Sequence, residues 1–147
     1  MQKLIYILVG TMLLAGCDNK DLLQSEKKIK EQLENKNWKR IGAHPDAYYE
    51  TWLFKDGTLA LVKDKNGNGI IDSVDKDIHV NANYSVDTKF SSSYVTLSGI
   101  PLDINLYGYE GENMNYKWTI AEINDKVLYL SAANETGTIK SLEFVKQ

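Results

Sequence analysis

The chain is poor in the residues that most often advertise chemistry or lock a small fold. Its 147 residues include one cysteine, Cys17, two histidines and two prolines. A single thiol rules out an intramolecular disulfide and any cysteine-rich zinc motif, so the fold must be held by its core. Positive charge is not in excess. Lys and Arg total 17 against 20 Asp and Glu, and residues 1–16 hold one lysine and no acid, so the rest of the chain carries 16 − 20 = −4. That balance argues against a nucleic-acid partner, which would want a basic face. Long hydrophobic runs are missing as well. The longest, Leu4 to Leu14, spans 11 positions, short of the roughly 20 that a membrane-crossing helix needs. The two histidines are isolated: His44 precedes Pro45-Asp46 in a loop, and His79 falls on the polar face of a strand. Ser91-Ser92-Ser93 has no nucleophile-elbow pattern, and Glu110 and Glu112 flank Gly111 in a turn where acids are normally solvated. No catalytic constellation emerges, and the chain is expected not to be an enzyme.

What is present begins at the N-terminus. Lys3 supplies a positive start, Leu4 to Leu14 an apolar stretch, and Leu14-Ala15-Gly16-Cys17 a small-residue ending before cysteine. The first two parts fit a secretory signal of residues 1–16. The ending resembles the bacterial lipobox, which implies that Cys17 becomes the lipidated first residue of the mature protein. Attached acyl chains contribute about 0.8 kcal/mol per buried CH₂, so several of them would anchor the chain to a membrane without spanning it. Residues 17–35 are expected to form a lipidated tether and a short helix, "LLQSEKKIKEQLEN" over 22–35. Leu22, Ile29 and Leu33 give this helix only a thin apolar stripe, which predicts loose packing or a spacer role.

After Trp38 the pattern alternates. Residues 38–42 read as a short lead-in. Extended segments follow at 49–54, 58–63, 78–86, 93–99, 102–107, 116–123, 126–132 and 138–145. Asp56-Gly57 between the first two is a strong hairpin signal. In "IHVNANYSV" the residues Ile78, Val80, Ala82, Tyr84 and Val86 point one way, so one face is buried and one wet. Eight strands with mostly short connections predict an all-β, up-and-down antiparallel barrel over residues 36–147. Closure also removes exposed edges.

"NKNWKRIG" (35–42), then "YETWLFKDGTLAL" (49–61), then the closing "EFVKQ" resemble the small bacterial lipocalin-like lipoproteins. The resemblance implies an eight-stranded barrel, a core position for Trp38 at the barrel bottom, and a binding or scaffold role.

The stretch "DKNGNGIIDSVD" (64–75) fits the calcium-loop template D-x-[DN]-x-[DN]-G. Asp64, Asn66 and Asn68 take the first three ligand positions and Gly69 the sharp turn. Ile70 offers its carbonyl, Asp72 follows, and Asp75 stands where a glutamate is usual. Alternating short oxygen ligands suit Ca²⁺, and the loop resembles the aspartate-terminated repeats of dockerin-like proteins. Strand flanks and only three carboxylates predict weak binding, on the order of 10⁻⁴–10⁻³ M. Tyr107, Tyr109 and Tyr116 are weak candidates for a ligand-stacking cluster at a barrel mouth. The expected protein is a membrane-anchored, non-enzymatic, lipocalin-like lipoprotein of the bacterial envelope. It would bind a small apolar or glycan ligand, with Ca²⁺ stabilising one loop. The competing reading is a protein-interaction or inhibitor module whose barrel is filled.

Overall fold

Alternation along residues 78–86 is the clearest period in the sequence, and it resolves into β4, His79–Lys89. The structure, a computed structural model, describes residues 19–41, 50–63, 79–104, 112–133 and 137–147. A helix, α1 (Asn19–Leu33), precedes eight strands: β1 (Asn37–Ile41), β2 (Glu50–Lys55), β3 (Thr58–Lys63), β4, β5 (Ser92–Ser98), β6 (Lys117–Ile123), β7 (Val127–Ala133) and β8 (Ile139–Lys146). Each strand pairs antiparallel with the next, and β8 pairs back with β1, closing an up-and-down barrel in the order β1 to β8. This is the expected fold class and is compatible with a lipocalin-like fold.

The strand count matches, but two segments exchange roles. The lead-in 38–42 is a full wall strand: Trp38 lies opposite Trp52 on one side and Lys146 on the other. The segment 102–107 was expected to be a strand, yet Leu102–Ile104 forms a 3-10 turn with no buried residue. Gly99 turns the chain with a φ of 80°, Pro101 removes a ladder donor, and Asn115 holds both the N–H and the carbonyl of Ile100 through its side-chain amide. These local bonds take the backbone groups a strand would have offered.

The two ends of the barrel differ. At one, the helix end, the turns are tight. Asp56 and Gly57 both adopt positive φ, 49° and 80°, as the two-residue hairpin requires. Short turns also join β4 to β5 and β6 to β7. At the other, the loop end, lie the strand ends flanking residues 42–49, 64–78, 99–116 and 134–138.

Helix α1 closes the helix end. Leu33 is fully buried and Ile29 packs against the same core. The Trp38 indole N–H donates to the Leu33 carbonyl at 2.8 Å, and Asn35, with a left-handed φ of 57°, ends the helix as asparagine can. The helix is therefore a plug, not the loosely packed spacer expected. Two anchored apolar side chains suffice because the barrel supplies the remaining apolar surface.

Trp38, Trp52, Trp118, Phe54 and Phe144 are all fully buried inside the barrel. Trp52 packs tilted on Phe144 at 5.0 Å and on Phe54 at 6.2 Å, and Phe54 meets Tyr84 edge-on at 5.0 Å. Such offset and edge contacts are the favoured aromatic geometries. Trp38 occupies the core position expected of it, at the plugged end.

Candidate functional site

Inward-facing positions alternate along each strand, so the last one before the loop end can be read strand by strand. On four contiguous strands it is charged: Lys140 on β8, Arg40 on β1, Glu50 on β2 and Lys63 on β3. All four are buried. On the other four strands it is apolar: Val80 on β4, Leu97 on β5, Trp118 on β6 and Ala132 on β7. The loop end thus has a charged half-wall facing an apolar half-wall.

Arg40 donates to the Glu50 carboxylate at 2.8 Å, with side-chain exposures of 8% and 0%. Glu50 also lies opposite Lys63 in the β2–β3 register. Lys140 donates to Glu112, a half-exposed acid from the β5–β6 connection. Its ammonium stands 5.3 Å from the centre of the Tyr116 ring. Tyr116 in turn meets Trp118 edge-on at 6.3 Å. The five ionisable groups sum to 3 − 2 = +1, and each of the four buried ones makes further contacts.

The apolar half is roofed by the β5–β6 connection. Ile100 and Met114 are buried, Ile104 packs on the core, and the Met114 carbonyl accepts the Trp118 indole N–H at 3.2 Å. Trp52 sits below with its Nε1 unpartnered, the only such buried side-chain atom among the described residues. Among the described residues, the roof therefore lies on the apolar side.

No family model, no curated protein and no solved structure matches the chain. The site must be read from its own chemistry.

Of the residues singled out in the sequence, Tyr116 is half-buried at the border between the two half-walls. Tyr107 and Tyr109 lie outside the described residues, as do Cys17 and the proposed calcium ligands Asp64, Asn66, Asn68, Ile70, Asp72 and Asp75. Among the described residues, no group of three or more His, Cys, Asp or Glu side chains could hold a metal. No helix there is long and apolar enough to cross a membrane. Glu112, expected to be merely solvated, instead pairs with Lys140. Arg40, Glu50, Lys63 and Lys140 were not singled out. A signal existed, because each shares the parity of an apolar core neighbour two residues away: Trp38, Trp52, Leu61 and Leu142.

Proposed function

We propose that this protein is a non-enzymatic binding lipoprotein of the bacterial envelope, lipidated at Cys17, which takes a small glycan at its loop-end mouth. The observation that carries this is the switch from apolar to charged side chains at the inward-facing positions of four contiguous strands. Burying an ion costs several kcal/mol even when it is paired, and an apolar interior of equal volume is often as stable or more so. A barrel built only for stability has no need of Arg40, Glu50, Lys63 and Lys140 there. Charged hydrogen-bonding groups beside an aromatic face, here Lys140 and Tyr116, are the pairing that sugar hydroxyls and C–H faces require. Four large aromatic side chains, Trp38, Trp52, Phe54 and Phe144, fill the barrel below, which favours a shallow polar ligand over a deep apolar one.

The aspartate-rich residues 64–78 leave and rejoin the barrel at this same end, where Val62 pairs with His79. In this reading Ca²⁺ would organise that loop beside the mouth through Asp64, Asn66, Asn68, Ile70, Asp72 and Asp75.

The test is calorimetric titration of the mature protein with soluble envelope glycan fragments, alongside K140M and Y116A. Binding by the wild type, weakened about tenfold (~1.4 kcal/mol) in either variant at unchanged melting temperature, supports the reading. A full panel of fragments that leaves the wild-type signal flat removes it. A second reading, a protein-interaction module, draws on Ile139 and Leu102, which are 76% and 57% exposed and also lie towards the loop end. It predicts a cross-linked envelope protein lost on I139D.

A further inference from the structure

Phe90 sits at the tip of the β4–β5 hairpin with its side chain 99% exposed and a φ of 54°. Turns with a positive φ favour glycine or asparagine, and a bulky aromatic ring gains nothing there from the barrel. Among the described residues nothing covers the ring, which leaves it available to a partner outside the molecule. The surroundings of the hairpin say which partner fits. Strand β4 runs on past its last pair with β3, Thr58 with Asn83, and stays paired with β5 as far as Lys89 and Ser92. Helix α1 runs along the inner face of this ribbon. Tyr84 donates to Glu34 near the helix C-terminus, and the Thr88 N–H donates to Glu26 at 3.4 Å further back.

From 34 back to 26 the helix covers about 12 Å, and from 84 to 88 the strand covers about 13 Å. The two elements therefore run side by side, and the start of α1 lies towards the hairpin tip. Cys17 is two residues upstream of Asn19, where α1 begins. The start of α1, which follows the anchor in the chain, and the exposed ring thus lie at one end, and the charged half-wall lies at the other. Lys89, exposed beside Phe90, suits phosphate headgroups at the depth where an aromatic ring enters the acyl boundary.

We propose that the β4–β5 hairpin dips Phe90 into the interface of the membrane that holds Cys17, so that the barrel stands with its loop end facing away from the bilayer. This inference rests on the lipoprotein reading above. The test uses the full-length chain, lipidated in a bacterial host, carrying F90C. Once Cys17 is a thioether, residue 90 offers the free thiol for a polarity-sensitive fluorophore. I139C, exposed at the loop end, is labelled in parallel. Both are reconstituted on vesicles of phosphatidylethanolamine and phosphatidylglycerol. The probe at 90 is expected to shift its emission to shorter wavelength and to become shielded from aqueous iodide, while the probe at 139 does neither. Vesicle-bound protein whose probe at 90 stays water-like, or in which both probes shift alike, overturns the hairpin contact and leaves the anchor standing. Protein that fails to float with the vesicles, or whose Cys17 takes up the fluorophore, overturns the anchor and the hairpin contact together.

Discussion

Three tryptophans share full burial but differ in what their indole N–H groups meet. Trp38 donates to the Leu33 carbonyl and Trp118 to that of Met114, whereas Trp52 has no acceptor. Leaving a buried donor unmet costs about 1–3 kcal/mol. Replacement by phenylalanine removes that cost at 52 but strands an acceptor at 38. W52F should therefore lose about 1–3 kcal/mol less stability than W38F in urea unfolding. Equal losses would mean that Trp52 Nε1 does have an acceptor. Tyr84 supplies a second residue-scale test. Burial, reinforced by its hydrogen bond to Glu34, holds its phenol well above the ordinary value of 10.0. A raised folded-state value means stability that is complete below pH 10.0 and is lost as pH climbs, because the unfolded chain releases a proton the folded chain keeps. The stability advantage of wild type over Y84F should stay level up to pH 10.0 and shrink above it. A difference that stays constant into strong alkali would show that Tyr84 ionises normally.

At the scale of elements, α1 and the β5–β6 connection act as stoppers at opposite ends. Each is pinned by a tryptophan N–H and by buried apolar side chains, Leu33 on the one and Ile100 with Met114 on the other. Truncating a fully buried leucine typically costs about 2–5 kcal/mol. L33A is expected to fall in that range by chemical denaturation and to uncouple the helix from the barrel. Amide exchange should then quicken along α1 well before β6 and β7. A loss under about 1 kcal/mol would return the helix to the spacer role that its thin stripe suggests. These elements also show where periodicity misleads. Leu102, Ile104 and Leu106 alternate like a strand, but Gly99, Pro101 and the Asn115 amide consume the local backbone bonds. Residues 38–42 look too short to be a wall, and become one only because β2 and β8 flank them.

For the whole molecule, the polarity of the barrel is the organising feature. Tight turns, α1 and Phe90 lie at one end, and the long connections and the charged half-wall at the other. If Ca²⁺ organises residues 64–78, its binding to the folded state must raise the melting temperature. At 10 mM Ca²⁺ and a dissociation constant of about 1 mM the gain is RT ln(1 + 10), about 1.4 kcal/mol. D64A together with D72A should abolish the rise. An unchanged melting curve at that concentration would remove calcium from the picture.

Much of this was already fixed by the order of residues. The alternation over 78–86 and the Asp56-Gly57 turn follow from local chemistry, because side-chain period and turn conformation are properties of neighbours in the chain; the lipobox-like start and the core role of Trp38 were read from resemblances carried by short motifs. The charged half-wall was not legible in the same way. Parity directs Arg40, Glu50, Lys63 and Lys140 inward, but only closure of β8 onto β1 puts these four strands side by side and makes their ends one surface. Arg40 and Lys140 are a hundred positions apart, and Lys140 meets Glu112 and Tyr116 only because β7 brings β8 and the start of β6 together. Non-local pairing decided the site, and no window of sequence contains it.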